Sequence, residues 1–367
     1  MSTPSAIHPL PFDPAFERVP DDEADTTREL IDVLRTILET TSDDYQHAVR
    51  SVHAKSHGLL DAELTVLDGL PPVLAQGLFA TPGNHPIVMR LSTNPGDILD
   101  DSVSTPRGLA IKVADVAGPR VAGSGTGSES GSESGTSQDF VMVNAPAFNA
   151  ATPKVLLANL KLLARTTDRM PGAKKALSAV LRGAEHIVEA VGGESGTLKS
   201  LGGHPRTHIL GETFYTCAPI LYGEHFAKLS VAPVSPELLA LKDAALDGGG
   251  HPDALREAVT AFFQSQGGEW EVRVQLATDI EKMPIEDVSV RWPEDESPYV
   301  AVARIRAPAQ AAWTPERSRA IDDGLLFSPW NALAAHRPLG GMMRVRQAAY
   351  QWSAEFRSAF NRCPVHR

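Results

Sequence analysis

Cysteine is scarce in this sequence: Cys217 and Cys363 are the only two among 367 residues. Two thiols cannot form a multi-disulfide framework, nor a zinc or iron–sulfur site with several cysteine ligands. Basic residues are outnumbered as well, 34 against 45 acidic ones, and the formal net charge is −11. Because an acidic chain repels phosphate groups, nucleic acids and anionic membranes are not expected as partners.

Long apolar runs are also missing. The run over 155–163 is interrupted by Lys161, and it falls far short of the roughly 20 residues that span a bilayer. The first twenty residues show no basic, apolar and cleavable pattern, so no signal peptide is expected. With 42% hydrophobic and 22% charged residues, the composition is that of a folded globular protein. These features predict a soluble, cytoplasmic protein.

The first part of the chain combines an extended arm, a helix and several strands. Residues 1–24 are rich in proline and predict the arm. Apolar residues at helical spacing predict an amphipathic helix over 25–41, with Thr26 and Glu29 as a capping box. The period then changes to two, which predicts strands at 63–67, 87–91, 108–113 and 139–143. Strands that follow one another without long helices favour an antiparallel sheet or barrel.

The rest of the chain mixes helices with further strands. Residues 117–138 are mostly Gly, Ser, Glu and Thr, and we expect a mobile insertion at a hairpin. The whole is predicted to be a single α+β domain over 25–362, followed by a tail at 363–367. Helices are predicted within 152–190 (broken at 170–172), at 253–264 and at 341–361, and strands within 213–231, at 270–276 and at 300–305.

The common catalytic signatures are absent. No phosphate-binding loop, dinucleotide fingerprint or serine-nucleophile elbow occurs in the sequence. His204 and His208 have the spacing of helical metal ligands, but Pro205 between them predicts a loop instead. Cys363 and His366 are types that ligate metals, yet two ligands near a chain end do not make a site.

The helix predicted over 341–361 carries a pair of residues suited to hold iron. Arg346 and Tyr350 are i, i+4 neighbours, so the guanidinium can lie beside the phenol and favour its phenolate form. A phenolate is a hard anionic ligand that suits ferric iron. Arg357 lies two turns further on the same face, where it can meet an anionic group. Arg/Tyr pairs at this spacing are common in helices. Taken alone, the helix therefore favours an ordinary half-buried tyrosine with solvated arginines over an iron ligand.

Six segments in other parts of the chain change that interpretation. In their order and approximate spacing they resemble the haem catalases, and the resemblance covers roughly 43–357. It is closest to the short, catalase-related haem proteins of bacteria. The segments are 50–55 (RSVHAK), 89–93 (MRLST), 106–112 (PRGLAIK), 139–146 (DFVMVNAP), 327–331 (FSPWN) and 346–350 (RQAAY).

The resemblance implies an antiparallel catalase-type β-barrel with surrounding helices, and a haem b held by the C-terminal helix. Tyr350 matches the axial ligand of the ferric iron; ligation by tyrosine is the known arrangement in catalases. Arg346 matches the arginine that keeps this tyrosine as a phenolate. His53 matches the distal histidine, which takes a proton from one oxygen of peroxide and delivers it to the other.

Further residues match positions around the cofactor in that family. Ser92 matches a serine on the distal side, and Phe327 lies in a stretch that borders the proximal face of the haem. Arginine pairs with carboxylates through two parallel hydrogen bonds. The arginines that match partners of the haem propionates are Arg50, Arg90 and Arg357.

Two positions bear on the type of catalase chemistry. Large catalases have two adjacent asparagines here, of which the first is catalytic; alignment on Pro146 puts Val143 at that place and Asn144 at its neighbour. We expect Asn144 to serve, because it is the only amide in the run, and a missing amide should lower turnover. Val52, before His53, is the residue that true catalases generally have, whereas relatives that rearrange fatty-acid hydroperoxides have threonine.

The resemblance therefore implies an enzyme that disproportionates hydrogen peroxide, or uses it to oxidise organic donors through a ferryl state, in the response to oxidative stress. Three alternatives stay open: a lyase or isomerase of lipid hydroperoxides of the allene oxide synthase type, a non-catalytic haem-binding protein, and an α+β domain without a cofactor. We expect a monomer or homodimer rather than an interlocked tetramer. No NADPH site can be assigned.

Overall fold

The computed structural model of the chain describes residues 8–121, 137–166, 204–246 and 251–363. Several predictions therefore fall outside the described residues. These are the start of the arm (1–7), the centre of the Gly/Ser insertion (122–136), the helices predicted beyond 166 and the tail from 364 that contains His366.

The described strands form one antiparallel sheet that closes into a barrel. The sheet order is β5-β4-β3-β2-β1-β9-β8-β7-β6, and a further pairing of β5 with β7 closes a barrel of eight strands, with β6 attached to β7. The strands are β1 Ser56–Val66, β2 Gly83–Thr93, β3 Arg107–Val113, β4 Gln138–Val143, β5 Phe214–Tyr215, β6 Ile220–Tyr222, β7 His225–Pro233, β8 Gly268–Leu276 and β9 Val300–Ala307. The strands predicted from the sequence overlap these, although the one predicted over 63–67 ends at Val66 in the structure, and the barrel is confirmed.

Alternation along the strands fills the barrel with apolar side chains. On β8, Trp270, Val272 and Val274 are buried in one large core to which every strand contributes. On β4, Phe140 and Met142 point into that core, so the residues between and after them face outward. Because the inward side chains of the strands pack into this core, the residues that alternate with them are available to a site on the outer face of the barrel wall.

Helices cover that outer face. The described helices are α1 Glu23–Tyr45, α2 Pro153–Thr166, α3 Pro236–Leu239, α4 Ala254–Phe263, α5 Pro315–Ser318 and α6 Gly341–Asn361. A π-helical turn, Arg319–Asp323, follows α5 directly. The predicted bounds of α6 are confirmed, because its sequence holds no internal Gly or Pro and many strong helix formers.

Helix α1 is confirmed but is longer than predicted, and its predicted capping box is wrong. Asp22 is the residue that precedes the first turn, and its side chain makes no capping hydrogen bond. Thr26 lies inside the helix, where its hydroxyl donates to the carbonyl of Asp22 at 3.1 Å. Leu30 and Leu34 are buried in a cluster that joins α1 to α2 and α6.

The described part of the N-terminal arm is held against the barrel and α6. Phe12 and Phe16 pack edge-on against Phe226 of β7. Arg344, on the first turn of α6, forms ion pairs with Glu17 of the arm at 3.0 Å and with Glu23 of α1 at 2.9 Å. These contacts fix the position of α6 relative to the barrel.

A cavity between the barrel wall and the C-terminal helix

One cavity lies between β4, the segment before β1, and helices α1, α2 and α6. Its empty space is about 1730 Å³, which includes the part open to solvent. Seven residues singled out from the sequence line this cavity, although they are far apart along the chain. They are Arg50, Val52, His53, Phe327, Arg346, Tyr350 and Arg357.

Tyr350 and Arg346 form the pair that the helical spacing predicts. Nη2 of Arg346 donates to the hydroxyl oxygen of Tyr350 at 2.6 Å. The guanidinium is a permanent cation, so it stabilises negative charge on that oxygen. No group of three or more His, Cys, Asp or Glu side chains in the described chain is arranged to hold a bare metal ion. The phenol oxygen of Tyr350, which borders the cavity beside this cation, could hold the metal of a cofactor bound there.

His53 is held in an unusual backbone conformation at the wall of the cavity. Its φ of 55° lies in the left-handed region, and its amide donates to the carbonyl of Asn94 at 2.8 Å. A non-glycine residue is costly there, and such strain is found most often at functional sites. Across the sheet, a Cβ on Gly108 would lie 2.5 Å from the imidazole ring. Glycine at 108 thus makes the space for this ring.

The imidazole of His53 is neutral and oriented. Its Nδ1 lies 3.1 Å from the hydroxyl oxygen of Ser92 on β2. Burial, together with the charges of Arg90, Arg346 and Arg50, lowers the pKa of His53 to about 3. Ser92 does not border the cavity itself, but it fixes the ring from behind. A neutral, oriented imidazole can accept a proton through Nε2.

Three arginines gather at one edge of the cavity. Burial lowers the pKa of Arg357 to about 10, with a contribution from Arg90, and the pKa of Arg50 is lowered for the same kind of reason. The Nε atoms of Arg50 and Arg357 are buried without a hydrogen-bond partner. Arg90 lies behind them, at 3% exposure. Two lining guanidinium groups with unused donors fit a ligand that brings carboxylates.

Asn144 does not reach this cavity, contrary to the expectation from its sequence position. Its Oδ1 accepts from the amide of Arg107 at 2.9 Å, and its Nδ2 donates to Glu212 at 2.5 Å and contacts Nε2 of His204 at 2.7 Å. Val143, one residue earlier, borders the cavity instead. The reason is the side-chain alternation at the end of β4, which sends neighbouring residues to opposite sides. The amides that do line the cavity belong to Asn94, Asn149 and Asn159.

The remaining lining is mostly apolar, and the sequence alone did not indicate it. Leucines from α1 and α2 pack beside Val52 and face the cavity. Cys217 also borders the cavity and donates from its thiol to the carbonyl of Ala145 at 2.9 Å. Burial raises the pKa of Cys217 to about 12, so it stays protonated and is unsuited to ligate a metal. The leucines are Leu30, Leu34, Leu156 and Leu160.

The two weaker metal candidates from the sequence are not assembled in the described structure. His204 and His208 lie in a loop, as predicted; His204 contacts Arg107 and Asn144, and His208 begins a short 3₁₀ helix. Cys363 is partly exposed, and His366, the other residue of that candidate, lies outside the described residues.

The residues present fit a haem. The site offers a phenol oxygen on one element, a neutral imidazole on another, and guanidinium donors at one edge, which correspond to an axial ligand, a proton carrier and partners for two carboxylates. The unpartnered, buried Nε atoms of Arg50 and Arg357 are the most direct sign, because buried donors are rarely left unpaired without a reason.

Comparisons with known proteins identify the fold. No family model matches the sequence, and no curated protein matches it. Solved structures do match, and they show that the chain has the catalase fold. It is similar to a fungal catalase (17% identity, TM-score 0.60, covering 99% of this chain and 68% of the other) and to catalase A from Saccharomyces cerevisiae (16%, 0.60, 100% and 70%). A bacterial catalase matches at 15% identity and a TM-score of 0.57, over 99% of this chain and 66% of the other.

The chain thus spans about two thirds of the length of these catalases. At identities this low, the structural match shows the fold alone. The chemistry of this chain has to be inferred from the residues of its own site. Within the described residues, none of the helices combines the length and the apolar character needed to cross a bilayer.

Proposed function

We propose that this protein binds haem b in the cavity and reacts with peroxide, as a catalase-related peroxidase. The observation that carries the proposal is that His53 and the Arg346–Tyr350 pair border the same cavity, although they are some 300 positions apart in the sequence. The catalase fold of the chain supports it. Haem, when bound, supplies the electrons that are needed to break the oxygen–oxygen bond of a peroxide.

Each residue of the site has a defined task under this proposal. Tyr350 would provide a phenol oxygen as a ligand to the haem iron, and Arg346, which donates to that oxygen at 2.6 Å, would hold it in position. Nε2 of His53 takes the proton from one oxygen of peroxide and gives it to the other oxygen, which leaves as water. Because Nδ1 lies 3.1 Å from the hydroxyl oxygen of Ser92, Nε2 is the ring nitrogen assigned to the proton transfer under this proposal. Arg50, Arg90 and Arg357 neutralise the carboxylates of the cofactor.

The cavity also favours organic substrates over hydrogen peroxide alone. Val143 borders the cavity at the place where catalases carry an amide, and Asn144 is bound elsewhere. Without that amide, a small peroxide is less well oriented, so disproportionation should be slow. The leucines of α1 and α2 offer apolar surface to an organic donor or to a larger hydroperoxide. Rearrangement of lipid hydroperoxides is therefore kept as a second candidate function.

The test compares three substrates on the haem-loaded protein. Oxygen evolution from hydrogen peroxide, oxidation of a phenolic donor, and consumption of a fatty-acid hydroperoxide are measured under the same conditions. Donor oxidation that exceeds oxygen evolution supports the peroxidase assignment. Consumption of the fatty-acid hydroperoxide without any donor supports the second candidate. Haem binding without any of the three reactions would overturn both and leave a non-catalytic haem protein.

A further inference from the structure

Asp322 lies among the three arginines and is assigned no task by the proposed function. It belongs to the π-helical turn Arg319–Asp323. Its Oδ1 accepts from Nε of Arg90 at 2.6 Å, and its Oδ2 accepts from the hydroxyls of Ser56 at 2.7 Å and Ser318 at 2.6 Å. The side chain is 16% exposed. Burial alone would raise the pKa of Asp322, but Arg90, Arg50 and the two serines outweigh it, and the carboxylate is ionised.

The backbone of the same turn holds the other two arginines. The carbonyl of Asp322 accepts from Nη1 of Arg357 at 2.7 Å and from Nη2 of Arg50 at 3.1 Å. Nη2 of Arg50 also donates to the carbonyl of Leu325 at 2.9 Å. Carbonyls at the C-terminal end of a helical segment carry partial negative charge, so they suit guanidinium donors. One short turn therefore contacts all three arginines.

The charges at this edge of the cavity are unbalanced. Three guanidinium groups lie near two carboxylates there: Asp322, which bonds to Arg90, and Asp323, which bonds to His47 at 3.0 Å but also acts on the charges of Arg50 and Arg357. Burial, together with repulsion from Arg357 and Arg90, lowers the pKa of Arg50. A net positive charge is left at this edge, which suits a ligand that brings carboxylates. The buried Nε atoms of Arg50 and Arg357 are donors that Asp322 leaves unused.

We propose that Asp322 is an internal counter-ion, which keeps the three arginines assembled in the cofactor-free protein and shares them with the two carboxylates of the bound haem. This inference rests on the proposed function. It makes Asp322 a positioning residue, because it acts on the cofactor only through the arginines. Without it, three like charges would have to be held together at a partly buried site without the carboxylate that bonds directly to Arg90, which is costly.

The same carboxylate also reaches the histidine of the site. Arg90, fixed at Nε by Asp322, donates from Nη2 to the carbonyls of His53 at 2.9 Å and Ala54 at 3.3 Å. These hydrogen bonds lie on the segment that carries the left-handed backbone of His53. Asp322 therefore links the carboxylate-binding edge to the position of the imidazole.

The test measures thermal unfolding of the apoprotein, alone and with haem or haem dimethyl ester, in the wild type and in Asp322→Asn. The ester has no free carboxylates. We expect Asp322→Asn to lower the Tm of the apoprotein by at least about 2 °C. The haem-over-ester margin is the Tm with haem minus the Tm with the ester. We expect this margin to be larger in Asp322→Asn than in the wild type, because the propionates of haem replace the missing counter-ion. An equal margin in both proteins would overturn the inference.

Two further variants separate contact from net charge. Asp323→Asn removes a charge one residue away whose side chain bonds to His47 and not to Arg90, so its haem-over-ester margin should stay well below that of Asp322→Asn; a margin as large as that of Asp322→Asn would contradict the inference. Asp322→Glu keeps the charge, so the Tm of its apoprotein should lie close to that of the wild type. A Tm as low as that of Asp322→Asn would contradict the inference. If Asp322→Asn folds only when expressed with haem, the inference is supported, whereas failure to fold with haem as well overturns it.

The proposed function can fail separately. If neither haem nor its ester raises the Tm of the wild type, haem binding is refuted. The comparison of apoprotein Tm between Asp322→Asn and Asp322→Glu then still decides whether Asp322 is the counter-ion of the arginines.

Discussion

Nη2 of Arg346 lies 2.6 Å from the hydroxyl oxygen of Tyr350, one turn further along α6. The spacing of four residues places both side chains on one face of the helix, and that face borders the cavity opposite the barrel wall. A fixed cation beside a phenol oxygen makes that oxygen a better ligand for a ferric centre.

Removal of the phenol oxygen should change the haem site directly. In Tyr350→Phe we expect at least tenfold weaker haem binding and an altered ferric absorption spectrum, because the axial oxygen is lost. Tyr45→Phe is the matched control, since the hydroxyl of Tyr45 bonds to Asp97 away from the cavity; it should bind haem as the wild type does. An unchanged spectrum in Tyr350→Phe would refute the ligand assignment.

Replacement of the imidazole should spare haem binding and slow the reaction with peroxide. A positioned proton carrier contributes about 10²–10⁴-fold to such a step, so His53→Gln should reduce the rate by about that factor, measured by stopped-flow mixing of the haem-loaded protein with peroxide. Ser92→Ala should have a smaller effect, because it frees the ring without removing it. Full activity of His53→Gln would place the proton carrier elsewhere.

The rate of that step should not depend on pH near neutrality. The pKa of His53 is lowered to about 3, chiefly by burial, so the ring is neutral and able to accept a proton throughout pH 5–8. An ordinary histidine with a pKa of about 6.5 would lose half of its basic form at that pH. We expect a flat profile for the haem-loaded protein between pH 5 and 8, and a drop centred near pH 6.5 would contradict it.

Asn144 should matter for stability rather than for chemistry. Asn144→Ala breaks the hydrogen bonds to Arg107 and Glu212 and should lower the free energy of unfolding by about 1–3 kcal/mol. Its rate with peroxide should stay within about twofold of the wild type, since the amide is outside the cavity. Val143→Asn, which brings an amide to the cavity, should instead raise oxygen evolution. A large loss of rate in Asn144→Ala would show that its amide serves the reaction.

Lowering the pH from about 6.5 toward 4 should destabilise the fold. Burial lowers the pKa of His336 to about 4, and burial together with Arg107 lowers that of His208 to about 4. The unfolded chain binds protons at these groups below about pH 6.5 while the folded chain does not, so the free energy of unfolding falls as pH falls from 6.5. Each group contributes up to about 1.4 kcal/mol per pH unit. Urea unfolding at pH 7, 6 and 5 measures this loss; equal stability at all three would contradict it.

Local patterns were sufficient to predict the elements of the fold. The bounds of α6 follow from a stretch of strong helix formers that ends near the chain terminus, and the barrel strands follow from their period of two. The assembly of Tyr350, Arg346, Arg357 and His53 was predictable only through the resemblance to catalases. Periodicity by itself does not show which distant segments meet.

The mispredicted features depend on geometry that sequence does not display. Asn144 was expected in the cavity because it is the only amide in its segment, but a shift of one residue at the end of a strand reverses the face. The role of Asp322 was missed because a π-helical turn has no clear sequence signal, and its arginine partners come from three distant segments.

The most direct test of the account is a titration of the purified apoprotein with ferric haem, followed in the Soret region. The account predicts saturable binding at equimolar haem, with a spectrum that shifts from that of free haem and that depends on Tyr350. Absorbance that rises without saturation, as for free haem, would contradict the central claim that this cavity is a haem site.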